Sequence, residues 1–296
     1  MRDVIAALLV LFSTASAVAN PSWVPIAIDS AGAIIVYVRI NDSGPFPFLL
    51  DTGASHSVVS ESLAERLRLP LVASTTVTTS TGRETRGVVR LHQTSIGVVR
   101  SETVLASVAK ASHLASIARG IDGIIGQDFL FSLNYTLDYR RRRLIWTDGG
   151  NAENGTRLPL VAQHGRYLVQ IAVPGERTPL LLVPDSGASG FVMFERHDRT
   201  RVALRALAPP DVNRFEAGSS ARTTSVQSLS GSQTVRMMMM RELRIGDVTV
   251  GNEPVAVIAR DDVDVDEGDG LLPLHLFASV SFNAREQRLV VRGQAE

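Results

Sequence analysis

Short stretches in which apolar and polar residues alternate recur along the chain, and they predict β-strands. Residues 34–40 (Ile-Ile-Val-Tyr-Val-Arg-Ile) and 167–173 (Tyr-Leu-Val-Gln-Ile-Ala-Val) show this pattern. Each is followed by turn residues, Gly44-Pro45 and Pro174-Gly175, and then by a second apolar stretch, which predicts a β-hairpin. One segment, Ser60 to Leu69, has the period of an amphipathic helix and is closed by Pro70. The pattern therefore predicts a protein composed mainly of strands.

The same arrangement of residues occurs twice in the chain. The segment Phe48–Ser55 (Phe-Leu-Leu-Asp-Thr-Gly-Ala-Ser) is matched by Leu181–Ser189 (Leu-Leu-Val-Pro-Asp-Ser-Gly-Ala-Ser). Further along, Ile121–Leu130 is matched by Gly268–Phe277, and both contain Asp-Gly followed by apolar residues. A repeat at such a long period indicates two similar structural units.

The ends of the two units are also alike. Tyr135–Trp146 and Val280–Val291 both have the pattern strand, charged turn, strand, which predicts a hairpin at the end of each half. Between the halves, Gly149-Gly150-Asn151 has the composition of a linker. We therefore expect an N-terminal lobe over residues 20–150 and a C-terminal lobe over residues 151–296.

The first 19 residues have the features of a secretory signal peptide. Arg2 precedes the apolar run Val4–Phe12, and Ala17-Val18-Ala19 fits the cleavage rule. The alternative is a short membrane anchor, but about twenty apolar residues are needed to cross a bilayer. We expect residues 1–19 to be removed and the mature protein to be exported, periplasmic or secreted, with no membrane association.

Composition excludes several classes of function. Thirty basic and thirty acidic residues cancel, so no net field favours binding to nucleic acid. The chain has no cysteine, and its six histidines lack the spacing of metal ligands, so we expect no metal and no cofactor. The acidic run 261–269 fails as a calcium loop, because Glu267 stands where the loop needs glycine and Pro273 where it needs glutamate.

The two Asp-[Thr/Ser]-Gly-Ala-Ser segments resemble the signature of the pepsin-like and retropepsin-like aspartic proteases, in the bacterial type that joins two retropepsin-like halves in a single chain. The resemblance covers nearly the whole mature chain. It implies an all-β fold of two pseudo-twofold-related β-barrel lobes with a cleft between them. It also implies that Asp51 and Asp185 are catalytic and meet at this cleft, where two close carboxylates share one proton.

The residues that follow each aspartate have roles implied by the same resemblance. Thr52 and Ser186 supply hydroxyls that brace the two aspartate loops against each other. Gly53 and Gly187 permit a backbone conformation and a close approach that a Cβ atom would block. The alternative for these four residues is ordinary turn chemistry.

The function implied is that of an aspartic endopeptidase in which the Asp51/Asp185 pair activates a water molecule to hydrolyse a peptide bond. The partner is then a peptide or protein substrate, and the presence of both halves in one chain favours a monomer. Two alternatives belong to other classes: a catalytically inactive peptide-binding protein on the same scaffold, and a hydrolase that uses Ser189 as its nucleophile.

Four positions differ from expectation, two from pepsin, where the sequence matches the retroviral pattern instead, and two from the first half of the chain. Ala54 and Ala188 replace a hydroxyl donor that pepsin has, so we expect the carboxyl pair to titrate higher than in pepsin and activity to extend from mildly acidic to neutral pH. Pro184 precedes the second aspartate, and Pro273 stands where the first half has Gly126. Because proline removes a backbone donor, these residues raise doubt about the geometry of the second aspartate loop.

Flaps that cover the cleft are the last expected feature. Thr78–Val88 and Ser225–Val235 are polar, glycine-containing stretches at corresponding places in the two halves. We expect each to form the flap of its lobe.

Overall fold

The computed structural model describes residues 22–79, 82–148, 154–173, 177–195, 203, 207, 223–228, 231–259 and 268–294. The predicted signal peptide, the predicted linker Gly149–Asn151 and the predicted turn Pro174-Gly175 lie outside the described residues. Residues 261–267 of the acidic run lie outside them as well. Within this part of the chain, no helix is long and apolar enough to cross a membrane.

The N-terminal half consists of eleven strands and three short helices in the described residues. In chain order they are β1 Trp23–Pro25, β2 Ala27–Ile28, β3 Ile34–Ile40, β4 Ser43–Leu50, β5 Ser57–Ser60, α1 Glu61–Arg66, β6 Leu71–Thr79, β7 Gly82–Ile96, β8 Val99–Ala109, α2 Ala111–Ile117, β9 Gly123–Ile125, α3 Gln127–Leu130, β10 Asn134–Asp138 and β11 Arg143–Trp146.

The described part of the C-terminal half has ten strands in a similar order. They are β12 Thr156–Gln163, β13 Arg166–Ile171, β14 Leu180–Asp185, β15 Phe191–Glu195, β16 Thr223–Ser228, β17 Gly231–Ile245, β18 Val248–Ala259, β19 Gly270–Pro273, β20 Phe277–Asn283 and β21 Arg288–Gly293. A 3-10 turn, Leu274–Leu276, separates β19 from β20.

The strands form two sheets that confirm the predicted two-lobed fold. One sheet has the order β2-β3-β4-β9-β5-β8-β7-β6, and the other runs β1-β11-β10-β20-β21-β12-β13-β14-β19-β15-β18-β17-β16. Strands of both halves meet where β10 pairs antiparallel with β20, and Thr136 lies opposite Ser281 with their hydroxyl oxygens 2.8 Å apart. Corresponding residues of the two halves face each other across this pair, which places the pseudo-twofold axis there.

The first predicted hairpin forms, but its turn lies elsewhere. In β3 the even-numbered residues of 34–40 are fully buried and the strand pairs with β4, as the alternation predicts. The turn falls at Asn41 and Asp42, with φ angles of 51° and 61°. Gly44-Pro45 lies inside β4, so the predicted turn position was wrong. A two-residue hairpin turn of type I′ needs two residues with positive φ, which asparagine and aspartate tolerate.

The predicted helix also forms, though shorter than expected. The Ser60 side chain accepts a hydrogen bond from the Leu63 amide and caps α1 at its N-terminus. The helix ends at Arg66 because Arg68 has a left-handed backbone with φ of 54°. Helices α2 and α3 were not predicted, since four to seven residues are too few to show a helical period.

Long hairpins occupy the positions of the expected flaps. Strands β6 and β7 form the hairpin that contains Thr78–Val88, and β16 and β17 form the one that contains Ser225–Val235. Residues 80–81 and 229–230, at the two tips, lie outside the described residues. The hairpin of the C-terminal half reaches the N-terminal half, because β16 lies against α2.

Candidate active site

Each candidate aspartate lies at the end of a buried strand that has a parallel neighbour. Strand β4 pairs with β9, so that Leu50 lies opposite Ile125, and the Asp51 amide donates to the Ile125 carbonyl at 3.0 Å. Strand β14 pairs with β19 in the same way, with Asp185 opposite Pro273. Apolar residues on both faces bury these short parallel pairs, so each carboxylate is carried at the end of a buried strand.

Each aspartate accepts hydrogen bonds from the backbone of its own loop. Asp51 Oδ1 accepts from the amides of Gly53 and Ala54, both at 2.9 Å. Asp185 Oδ1 accepts from the amides of Gly187 and Ala188, at 2.7 and 3.0 Å. We call residues 51–54 and 185–188 the Asp51 loop and the Asp185 loop. Backbone amides thus fix one carboxylate oxygen in each loop and leave the other available.

The two loops are joined by a reciprocal set of hydrogen bonds from Thr52 and Ser186. The Thr52 amide donates to Ser186 Oγ at 3.1 Å, and the Ser186 amide donates to Thr52 Oγ1 at 3.0 Å. The two hydroxyls donate in turn to carbonyls of the opposite half, Thr52 to Pro184 at 2.7 Å and Ser186 to Leu50 at 2.6 Å. Both side chains are 1% exposed, so no water competes for these bonds.

The glycines bring the two carboxyl groups together. A Cβ atom on Gly53 would lie 2.6 Å from the Asp185 carboxyl carbon, and one on Gly187 would lie 3.0 Å from that of Asp51. Neither glycine has a left-handed backbone, so close approach alone excludes a side chain. Each carboxyl group therefore packs against the glycine of the opposite loop, and the Asp51 and Asp185 side chains are in hydrogen-bonding contact.

Burial and proximity both act on the protonation of this pair. Burial raises the pKa of Asp51, although the amides of Gly53 and Ala54 and the positive charge of Arg166 oppose this shift. Burial raises the pKa of Asp185 well above its ordinary value, and the negative charge of Asp51 raises this pKa further. Such a pair holds one proton over a wide pH range.

The prolines of the second half leave the Asp185 loop intact, against the doubt that the sequence raised. Pro184 uses its carbonyl as the acceptor for Thr52, and pairing of β14 with β13 stops at Leu182, before an amide at position 184 would be needed. Pro273 replaces Gly126, whose amide donates to Ser57 Oγ at 3.1 Å. Phe191 occupies the position that corresponds to Ser57, so the second half lacks the hydroxyl acceptor as well. The amide hydrogen that Pro273 lacks therefore leaves no acceptor without its donor.

Three residues near the Asp51 loop were not identified from the sequence. Gln127 Nε2 donates to the Thr52 carbonyl at 2.7 Å. Asp128 accepts from the Ser57 amide at 2.9 Å and from its hydroxyl at 2.6 Å. The charge of Arg166 acts on Asp51. The repeat could not reveal Gln127 or Asp128, because the second half has Leu274 and His275 there. A search for differences between the halves beside the motif would have found them.

The arrangement suits acid–base chemistry by the carboxyl pair itself. Among the described residues, no group of three or more His, Cys, Asp or Glu side chains is placed to hold a metal ion. Two adjacent carboxyl groups that share one proton supply a base and an acid at the same point, which is what the addition of water to a carbonyl requires.

Comparison with known proteins gives a family match and a similar fold. Residues 36–129 match the sequence model of the family described as Aspartyl protease. The structure matches 169 chains of solved structures. One is basic 7S globulin from soybean, with a TM-score of 0.50 and 12% sequence identity over 92% of this chain and 95% of that chain. At this identity the likeness shows the fold alone, and no curated protein sequence matches the chain. The predicted resemblance is thereby confirmed: the chain has the acid-protease fold, and it matches the aspartyl protease family over residues 36–129.

Proposed function

We propose that the protein is an aspartic endopeptidase in which Asp51 and Asp185 form the catalytic dyad. The observation that carries the proposal is that the two carboxyl groups meet on loops locked together by Thr52 and Ser186. Support for hydrolysis also comes from the match to the aspartyl protease family. The Gly53 and Gly187 positions allow the carboxyl groups to approach closely enough to share a proton.

The reaction under this proposal needs only water and the dyad. The ionised carboxylate takes a proton from a water molecule as its oxygen adds to the peptide carbonyl carbon, and the protonated carboxyl group gives its proton to the carbonyl oxygen. The resulting tetrahedral diol collapses when the first carboxyl group protonates the nitrogen and the second takes back a hydroxyl proton. The C–N bond then breaks, and the dyad returns to its singly protonated state.

The proposal extends to substrate, assembly and location. The substrate is a peptide or protein that fits the cleft between the lobes, beneath the β6–β7 and β16–β17 hairpins. Both carboxylates come from one chain, so a monomer suffices for activity. The sequence of residues 1–19 supports export to the periplasm or the medium.

Cleavage of a mixed peptide library at pH values from about 3 to 8 tests the proposal. We expect the mature protein to cut, a pepstatin-type inhibitor to block cutting, and Asp51→Asn and Asp185→Asn to be inactive. Asp138→Asn is the matched control, because Asp138 is a buried aspartate in β10 that accepts hydrogen bonds from Arg141. Equal loss of activity in all three variants would argue against a specific dyad.

The main rival is a peptide-binding protein that does not cleave. The two prolines suggested it, but the Asp185 loop has the same amide and hydroxyl bonds as the Asp51 loop, which removes that argument. A folded parent protein that binds peptides and cuts none at any pH would favour the rival.

A further inference from the structure

Gln127 is a buried polar residue that holds the Asp51 loop at two points. Its side chain is 1% exposed, and Nε2 donates to the Thr52 carbonyl at 2.7 Å. Its backbone amide donates to the Ala54 carbonyl at 2.8 Å. Gln127 begins α3, directly after β9, so the parallel strand pair that positions Asp51 also positions this side chain.

The hydrogen bond to Thr52 bears directly on the Asp51 carboxylate. The Thr52 carbonyl and the Gly53 amide belong to one peptide group, and the Gly53 N–H donates to Asp51 Oδ1 at 2.9 Å. A donor on the carbonyl of a peptide group polarises it and strengthens the bond that its N–H makes. Gln127, the Thr52–Gly53 peptide and Asp51 thus form one continuous chain of hydrogen bonds, which favours negative charge on Asp51.

The orientation of the Gln127 amide follows from its hydrogen bond to Thr52. Only the NH₂ group can donate to the Thr52 carbonyl, so the Oε1 atom points the other way. Oε1 is buried and has no hydrogen-bond partner among the described residues. The bond to the Thr52 carbonyl therefore sets which way the amide faces.

Among the described residues, the second half has no counterpart to this chain of hydrogen bonds. Leu274 occupies the position of Gln127, is fully buried, and cannot donate a hydrogen bond. The Asp185 loop therefore keeps its own amide bonds, but the side chain at this position does not polarise the peptide behind them. This difference breaks the twofold symmetry of the site at the point where the two carboxyl groups must take different roles.

We propose that Gln127 is a positioning residue that makes Asp51 the ionised base of the dyad and leaves the shared proton on Asp185. The inference rests on the proposed function for its catalytic meaning, but the distribution of the proton exists whether or not the protein cleaves peptides. The charge of Arg166 favours the same distribution by its action on Asp51, and Tyr139 is the other titratable group that interacts with Asp185.

Two matched variants isolate the hydrogen bond of Gln127. Gln127→Met and Leu274→Met place the same flexible side chain at corresponding positions of the two halves, and only the first removes a donor. In the full mature chain, the side-chain carboxyl carbons of Asp51 and Asp185 are followed by ¹³C NMR as pH changes, with assignments from Asp51→Asn and Asp185→Asn.

In the parent we expect Asp51 to lose its proton before Asp185. Gln127→Met should narrow the interval between the two titrations by roughly half a pH unit to one unit, as expected for one weakened hydrogen bond to a charged group. Leu274→Met should leave the interval unchanged. If Gln127→Met does not fold, Gln127→Leu replaces it, which introduces the residue that the second half has at this position, and the same change is expected.

Three results would overturn the inference. These are ionisation of Asp185 first in the parent, an unchanged interval in Gln127→Met, and an equal change in both methionine variants. Because the titration needs no substrate, an inactive parent that still gives the expected shifts would refute the proposed function and leave this inference standing. If the parent is active, the acid limb of its pH–rate profile should shift to higher pH in Gln127→Met and stay unchanged in Leu274→Met.

Discussion

At the scale of single residues, the glycines opposite the carboxyl groups decide whether the dyad can form. A Cβ atom on Gly53 would lie 2.6 Å from both the Asp185 carboxyl carbon and its Oδ2, which is closer than real Cβ contacts allow. On Gly187 the corresponding distance to the Asp51 carboxyl carbon is 3.0 Å. The carboxyl groups must therefore move apart to accept a side chain at either position.

We expect Gly53→Ala to lower kcat/KM by at least about a hundredfold, and Gly187→Ala to lower it less, because a displacement of about 1 Å in a catalytic group costs about this much. The control is Gly190→Ala, because a Cβ atom there would meet nothing within 4 Å. Activity is measured on one peptide substrate, with circular dichroism to show that each variant folds. Full activity in Gly53→Ala would contradict the close packing of the two loops.

The residues that could be predicted from the sequence are those that both halves share. Asp51 and Asp185, with the hydroxyl and the glycine after each, stand out because the repeat presents them twice. Gln127 contacts the same loop but has leucine as its counterpart, so the repeat conceals it. At Gly53 and Gly187 the structure has the close approach that the resemblance implied, and neither glycine has a left-handed backbone.

At the scale of elements, the Asp51 and Asp185 loops depend on each other through Thr52 and Ser186. Thr52→Val keeps the shape of the side chain but leaves the Ser186 amide without an acceptor and the Pro184 carbonyl without a donor. We expect this change to lower the free energy of unfolding by about 2 to 4 kcal/mol, since two buried groups lose their partners.

Ser186→Ala should have a similar effect on the free energy of unfolding, and the double variant should lose less than the sum because both changes break one network. Urea unfolding measures all three. Thr94→Val is the control, because Thr94 is fully buried and its hydroxyl makes only a long bond of 3.4 Å to the Leu91 carbonyl. Strictly additive effects of Thr52→Val and Ser186→Ala would indicate that the two loops are held independently.

Elements with a clear local period could be predicted, and elements defined by distant partners could not. The alternation in residues 34–40 gave β3, and both terminal hairpins formed as expected. The three residues of β9 show no period of their own and become a strand only between β4 and β5. Similarly, α3 is a single turn whose first residue is held by the Ala54 carbonyl.

At the scale of the whole molecule, the halves share a sheet that the linear repeat does not reveal. Strand β10 of the first half pairs with β20 of the second, and β1 and β12 extend this sheet at its two sides. The sequence predicts two similar lobes but not this pairing, because contacts between residues about 145 positions apart have no local signature. The shared sheet joins the two halves, so the placing of one aspartate loop against the other depends on the whole chain.

The buried dyad also makes the stability of the whole molecule depend on pH. Burial raises the pKa of both carboxyl groups above their values in the unfolded chain. Their contribution to the free energy of folding is therefore most favourable below about pH 4, where the carboxyl groups are protonated in both the folded and the unfolded chain. It is lost as the pH rises through their pKa values in the folded protein. At neutral pH the unfolded chain ionises Asp185 freely, whereas the folded protein must either keep Asp185 protonated or bury a second negative charge beside Asp51.

Asp185→Asn removes this cost because the amide at position 185 does not ionise in either the folded or the unfolded state. We expect its melting temperature to exceed that of the parent by several degrees near pH 7, since about 1 kcal/mol corresponds to roughly 2–4 °C in a protein of this size, and the difference to vanish near pH 4. Asp138→Asn should show no gain at neutral pH, because the Asp138 carboxylate is stabilised by the Arg141 amide and guanidinium. Scanning calorimetry across this pH range provides the test. An equal gain at all pH values would mean that the change in charge is not the cause. With the expected pH dependence, a buried carboxyl group that the proposed function requires would be shown to lower, at neutral pH, the stability of the fold that holds it.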